Sequence, residues 1–197
     1  MAAVLRAGYT CVNVNPLYTA RELEHQLKDS GATAIVILEN FAQTLEQVID
    51  RTPVKHVVLT AMGDLLGGLF GKWITFAVRN LAKMVPPFKL PLDQGRTVTS
   101  FADALAAGRS RKLAPTSDTL DSIAFLQYTG GTTGLSKGAV LTHRNIVAAT
   151  LQAEAWFTPA LERAGDLSKV NSIAALPLYH IFALTLCLLA IPQGSHL

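Results

Sequence analysis

The sequence of 197 residues holds only two cysteines, Cys11 and Cys187, each in its own apolar stretch. A secreted disulfide scaffold needs more, and no cluster of ligating side chains has the spacing of a metal site. Buried, reduced thiols in a cytoplasmic protein are therefore expected. The start, Met1 to Arg6, lacks the charged leader and long apolar run of a signal peptide. Runs of membrane-spanning length are also missing. Phe182–Ile191 is strongly apolar, but Pro177 and His180 separate it from Ser172–Ala175, and each piece alone is too short. A buried strand followed by a buried helix is expected there. Internal repeats and low-complexity tracts are absent. With 50% hydrophobic residues, the chain can bury one substantial core or form part of a larger one.

Charge is scarce and uneven. The net charge is +3, yet Gly71–Lys112 carries eight basic and two acidic residues, so that stretch is +6 and the remainder −3. No aromatic interleaving or recognition helix accompanies the basic residues, which argues against nucleic acid as a partner. A solvated basic face or an anionic lipid surface fits them better.

Thr10–Val14 has the composition of a strand that Asn15-Pro16 closes. Thr19 and Glu22 form a capping box for a helix ending at Ser30 and Gly31. Ala34–Leu38 reads as a strand, Asn40 and Gln43 repeat the capping pattern for a helix to about Asp50, and Val57–Leu59 reads as the next strand. Strand–helix–strand–helix–strand at this spacing predicts parallel βαβ units in an α/β fold. Ser100 caps a short helix between two loops. Ile123–Tyr128 is a further strand, Val140–Thr142 a short extended piece, and Thr142 caps a helix from His143 to about Phe157. Strand character resumes at Ser172–Ala175.

Within Gly63–Val85, Arg79 and Lys83 each fall within roughly 20° of Lys72 on a helical wheel. Leu66, Phe70, Trp73, Ala77, Leu81 and Met84 gather opposite them, and Pro86-Pro87 ends the pattern. The favoured expectation is a helix whose apolar side packs on the domain and whose basic side faces water. The alternative is a helix lying in a membrane interface, giving peripheral contact through residues 63–85 on the inner membrane.

The most informative run is Tyr128–Gly138, Tyr-Thr-Gly-Gly-Thr-Thr-Gly-Leu-Ser-Lys-Gly. Glycines let a backbone approach an anion closely, and consecutive amides form an anion-binding concavity. Thr129, Thr132 and Thr133 add hydroxyl donors, and Lys137 adds a point charge. The run differs from the common P-loop, because Leu135 and Ser136 separate Gly134 from Lys137 and Gly138 follows the lysine. It also differs from the Gly-x-Gly-x-x-Gly of dinucleotide folds.

The stretch Leu126–His143 resembles the AMP-binding signature of the adenylate-forming enzymes, which include acyl-CoA synthetases, luciferases and peptide-synthetase adenylation domains. Gly130 stands where most of that superfamily has serine, and Ser136 where many have proline. The Thr-Gly-Gly-Thr-Thr-Gly form is similar to bacterial long-chain fatty-acid CoA ligases. Leu176-Pro177-Leu178-Tyr179-His180-Ile181-Phe182 resembles the family's next motif, and Leu5–Tyr9 with Asn13–Thr19 resembles an earlier segment of the same domain.

The resemblance implies a partial adenylate-forming domain, α/β with parallel βαβ units, incomplete at both ends. Residues 1–197 would be part of the AMP-binding N-terminal domain, without the small C-terminal domain. It implies ATP-dependent activation of a fatty acid to acyl-AMP, then transfer to coenzyme A. Tyr128, Thr129, Gly130, Gly131, Thr132, Thr133 and Gly134 would hold the nucleotide's phosphates, and Lys137 would neutralise their charge. Thr132 and Lys137 would carry the adenylation step. Tyr179 and His180 would shape the acyl and adenylate site. His25, His56, His143 and His196 are expected to be structural. Magnesium would take its ligands mostly from motifs outside this sequence. Those motifs are a Tyr-Gly-x-Thr-Glu segment, a Thr-Gly-Asp segment, a hinge arginine and a lysine of the small domain. An isolated segment of this extent is expected to be catalytically incomplete. An aryl- or amino-acid-adenylating ligase, and an inactive nucleotide-binding remnant, stay open as alternatives.

Overall fold

The computed structural model describes residues 1–93, 95–130, 135–164, 173 and 175–193. They form two compact units, one of Met1–Asn15 with Ala114–Leu197 and the other of Pro16–Leu113.

In the second unit, helix α2 (Ala20–Ser30) begins where its sequence indicates. The Glu22 amide donates to Thr19 Oγ1, and the Glu22 carboxylate accepts from the Thr19 amide at 2.8 Å. Two of the first orphan N–H groups are thereby satisfied. Gly31 ends the helix at φ 63°, a left-handed conformation that costs glycine little. Leu23 and Leu27 bury the inner face. Strands β2 (Ala34–Leu38), β3 (His56–Thr60) and β4 (Thr97–Ser100) form a parallel sheet in that order, with Ile35 opposite Val57 and Val57 opposite Val98. Ser100 accepts from the Asp103 amide and caps α5 (Phe101–Arg109).

The predicted helix from Asn40 to Asp50 is instead broken. A 3-10 turn at Glu39–Phe41 precedes α3 (Ala42–Glu46), and a second follows at Ile49–Arg51. Neither predicted cap forms, because both side chains are engaged elsewhere. Asn40 Nδ2 donates to the Met84 carbonyl, and Gln43 Nε2 to the Pro87 carbonyl. The crossover from β3 to β4 contains α4 (Gly68–Phe76), continued by a π-helical turn at Ala77–Leu81. Lys83, at φ 51°, ends the helical path. Small residues of α4 face the protein, for Gly71 is buried and touches Gly63 backbone to backbone, where a Cβ on either would run into the carbonyl oxygen of the other. Leu69, Trp73 and Phe76 are exposed, and Arg79 turns inward to grip buried Glu39 through three contacts of 2.6–3.0 Å. This overturns the expectation of an apolar side packed on the domain with the basic side in water, because backbone contact and polar clamps fix the helix instead.

In the other unit, α1 (Ala2–Arg6) leads to β1 (Cys11–Asn13). This strand runs parallel to β5 (Ile123–Thr129), which pairs antiparallel with β6 (Lys137–Thr142). The expected βαβ unit through the first strand therefore does not close on β2. Cys11 lies opposite Phe125, and the two pack with Ala124 and Leu184 as a buried cluster, flanked by Val4, Leu5, Leu141 and Ile146. Burial of that apolar set outweighs the sequence proximity of β1 to β2. Burial also pushes the Cys11 thiol up from its ordinary pKa.

Helix α6 (His143–Ala164) starts on a second reciprocal cap, in which the Asn145 amide donates to Thr142 Oγ1 and Asn145 Oδ1 accepts from the Thr142 amide. It runs past the expected end near Phe157, through Pro159. Arg144 on its first turn grips Asp121 with two bonds of 2.9 and 3.1 Å, and this holds the Asp121 carboxyl below its usual range. Ile181–Gln193 forms the expected apolar helix, α7. Of the strand predicted at Ser172–Ala175, Ile173 and Ala175 are not in a strand, and Ser172 and Ala174 lie outside the described residues.

Candidate active site

Strands β5 and β6 pair antiparallel as a hairpin, and the glycine-rich run joins them in sequence. Thr129 pairs with Lys137 as the last pair before the connecting segment, so these two phosphate-binding candidates stand opposite each other. Gly131, Thr132, Thr133 and Gly134 lie outside the described residues. Thr129, Gly130, Leu135 and Lys137 are exposed, and among the described residues no carboxylate pairs with the Lys137 ammonium. A lysine held at a strand end without an acidic partner keeps its charge available for an anion.

Tyr128 is the buried member of the set. It stands opposite Gly138, and its ring lies over that glycine's backbone. A Cβ at Gly138 would sit 3.0 Å from Tyr128 Cε2 and 3.1 Å from Cζ. Glycine at 138 thus serves ring-on-backbone packing, which seats the aromatic side chain that anchors the hairpin. Gly130 differs. A Cβ there would meet nothing within 4 Å among the described residues.

Tyr179 and His180 lie in a turn at the start of α7. The His180 amide donates to the Pro177 carbonyl, and the His180 carbonyl accepts from the Leu184 amide. Their ring centroids are 4.6 Å apart with planes tilted by 38°. Tyr179 is half-buried and His180 exposed. His56 Nδ1 lies 2.9 Å from Thr97 Oγ1, joining neighbouring strands, and the His143 amide bonds the Ser122 carbonyl. His196 lies outside the described residues.

One residue links the hairpin to the Pro-Tyr-His turn. Gln127 is buried on β5 next to Tyr128. Its Nε2 donates to the Tyr179 carbonyl at 3.0 Å, and its Oε1 accepts from Asn13 Nδ2 at 3.2 Å. Asn13 Oδ1 in turn accepts from Cys11 Sγ at 3.6 Å. Three sequence motifs therefore meet through one buried amide chain: the early segment at Asn13, the signature at Gln127 and the later motif at Tyr179. Sequence reasoning assigned neither Gln127 nor Asn13 a role. The available signal was a glutamine inside an otherwise apolar strand, since a buried amide needs partners on both its ends.

The described residues contain no group of three or more His, Cys, Asp or Glu side chains arranged to hold a metal ion. They supply hydroxyl, ammonium and backbone donors, a set suited to phosphate oxygens. Among them, no helix is long and apolar enough to cross a membrane.

Residues 1–197 match the family model described as AMP-binding enzyme. A long-chain-fatty-acid–CoA ligase of Escherichia coli O157:H7 is 51% identical over 193 residues, covering 98% of this chain and 33% of the relative. The protein of the same name from Yersinia pestis is 52% identical with the same coverage. Among solved structures, a long-chain-fatty-acid-CoA ligase from Archaeoglobus fulgidus superposes with a TM-score of 0.67 at 25% identity, over 98% of this chain and 31% of that one. The chain spans about a third of the length of the curated relatives it matches. With the signature hairpin, the Pro-Tyr-His turn and a family match across every residue, the chain belongs to the AMP-binding enzyme family.

Proposed function

We propose that this chain supplies the phosphate-gripping hairpin and part of the acyl site of an acid–thiol ligase that activates long-chain fatty acids in the cytoplasm. The observation that carries the reading is the hairpin itself, with Thr129 opposite Lys137 at the base of a glycine- and threonine-rich tip. The names of relatives at about half identity support a fatty acid as the substrate.

A carboxylate is a poor electrophile. Its oxygen attacks the α-phosphorus of ATP, the bond to the β-phosphate oxygen breaks, and pyrophosphate leaves, giving acyl-AMP. The thiol of coenzyme A then gives up its proton to solvent, its sulfur bonds the acyl carbon, and the bond from that carbon to the AMP phosphate oxygen breaks as AMP departs. The first step needs positioning and charge neutralisation more than covalent help from the protein. Thr129–Gly134 hold the β- and γ-phosphates, with Thr132 and Thr133 as hydroxyl donors. Lys137 offsets the charge that grows on the leaving pyrophosphate. Tyr179 and His180 bound the acyl end, held to the hairpin strand by Gln127. His180 is no general base for adenylation, because carboxylate attack removes no proton. Magnesium, when bound, screens the triphosphate.

The test is ATP–pyrophosphate exchange in an intact enzyme carrying these residues. Lys137→Ala and Thr132→Val should each weaken transition-state stabilisation by about 2–4 kcal/mol, as loss of a preorganised donor does elsewhere. Exchange at the parental rate in both variants removes them from the mechanism. Exchange driven by an aryl or amino acid in preference to a long-chain fatty acid would replace the substrate assignment and keep the hairpin's role.

A further inference from the structure

The buried amide chain between β1 and β5 has a direction. Cys11 lies opposite Phe125 and Asn13 opposite Gln127, so alternation along the two strands puts all four on one face of the sheet. Phe125 and Cys11 pack there with Leu184 of α7. The polar groups beside them are linked donor to acceptor. The Cys11 thiol donates to Asn13 Oδ1 at 3.6 Å, Asn13 Nδ2 donates to Gln127 Oε1 at 3.2 Å, and Gln127 Nε2 donates to the Tyr179 carbonyl at 3.0 Å.

Each link orients the next. An amide carries its acceptor and its donor on opposite sides, so committing one commits the other. The Asn13 NH2 only donates and the Tyr179 carbonyl only accepts, and both therefore demand the same orientation of Gln127. Were that amide reversed, oxygen would face oxygen at residue 179 and NH2 would face NH2 at residue 13. Gln127 is 6% exposed, so water could relieve neither contact.

The end point of the chain is the turn that opens α7. The bond from the His180 amide to the Pro177 carbonyl fixes the shape of this turn and not its place on the sheet. Ile181 and Leu184 seat the helix by apolar contact, which has no direction. The Gln127 bond has one, and it holds the Tyr179 carbonyl to β5 two residues before Thr129. Thr129, opposite Lys137, continues the same face of that strand.

We propose that Asn13 is a positioning residue for the acid: by fixing which way the Gln127 amide points, it sets where Tyr179 and His180 stand against β5. This rests on the reading above, in which Tyr179 and His180 bound the acyl end.

The test uses isosteric exchanges in an intact enzyme carrying these residues, since they change hydrogen-bond direction and keep volume. Asn13→Asp replaces the donor by an acceptor, draws the Gln127 N–H toward β1 and leaves the Gln127 oxygen facing the Tyr179 carbonyl. Gln127→Glu keeps the acceptor for Asn13 and removes the donor to Tyr179, so it carries the same prediction where Asn13→Asp folds poorly. Both should raise the KM for the acid about tenfold and leave that for ATP within about twofold, as unmaking one buried bond at the acid side would. Asn13→Ala removes a partner without opposing the orientation of Gln127, and its effect on the acid should be smaller, about threefold. Packing alone predicts the reverse order, with alanine worse than the isosteric aspartate. Hydrogen exchange read by mass spectrometry should rise in residues 177–184 of both isosteric variants while β1 and β5 stay protected.

The proposal is overturned if residues 177–184 exchange as in the parent, or if Asn13→Asp raises the KM for the acid no more than alanine does. A loosened turn with a parental KM for the acid also overturns it, by taking Tyr179 and His180 out of the acid site. Failure of the hairpin's phosphate role would show separately, as parental pyrophosphate exchange in Lys137→Ala.

Discussion

In the unit of Pro16–Leu113, neighbouring strands are parallel and their order follows the sequence, β2-β3-β4. In the other unit, β1 reaches across the chain to β5, with Asn13 and Gln127 bonded at a separation of 114 positions, and β5 then turns back on β6. Their buried polar groups differ in the same way. Glu39 and Arg96 are answered by charge, from Arg79 in the first case and from Asp50 and Asp93 in the second. Gln127 is answered by neutral amide and carbonyl groups. The parallel unit is a scaffold whose crossovers hold charges at its rim. Among its described residues the hairpin unit buries no charged side chain, and Lys137 at its edge has no carboxylate partner. A phosphate site needs that kind of edge, because a carboxylate beside the lysine would compete with the ligand.

This contrast can be broken experimentally. Phe125→Ala removes the largest fully buried side chain among the described residues, and it should cost about 3–5 kcal/mol. Amide hydrogen exchange should show the loss in β1, β5 and β6 while β2–β4 keep their protection. Equal loss in both sheets would mean that the units do not differ in stability as their separate cores imply.

Gln127→Leu should cost about 1–3 kcal/mol by leaving the Asn13 amide and the Tyr179 carbonyl without their partner. In an active enzyme it should raise the KM for the acid more than that for ATP, because the turn at residues 177–180 loses its tie. An equal rise in both constants would assign Gln127 to the hairpin alone.

On the scaffold side, Arg79→Ala strands a nearly buried Glu39. The pair is half open to solvent on the arginine side, so the cost should be about 1–2 kcal/mol, read from the urea midpoint. Arg79→Met, which keeps the stem's packing and loses the charge, should behave like alanine if the ion pair matters.

The smallest effect concerns Glu24, which bonds Arg51 and Lys28 at the surface of the same unit. Chiefly through its hydrogen bond to Arg51, its pKa is held down to about 2 from an ordinary 4.5. A depressed carboxyl stabilises above the unfolded value and loses that contribution as pH falls through the folded one. Glu24→Gln should therefore narrow the difference in thermal stability between pH 6 and pH 2.5. At pH 6 it should be the less stable protein, by an amount that shrinks with added salt.

Much of this was legible in the residues. The Thr19–Glu22 and Thr142–Asn145 ends follow from side chains that bond amides three positions away, a local interaction that needs no knowledge of the fold. Ala34–Leu38 forms a strand with the predicted bounds. Asn40 and Gln43 misled because their amides found distant carbonyls, and a distant partner leaves no trace in local spacing. The glycine run marked the AMP-binding family by composition. The role of Gly138 did not show there, because it rests on the Tyr128 ring lying across the hairpin.

By itself, the sequence determined the family, the helix starts at Thr19 and Thr142 and the strand at Ala34–Leu38, since each rests on residue types within a few positions of one another. Only the tertiary structure decided that β1 joins β5 and that Gln127 ties three motifs together. It alone decided that α4 turns its small side inward. Those outcomes depend on contacts between distant positions, where backbone approach and buried hydrogen bonds outweigh what each segment prefers alone.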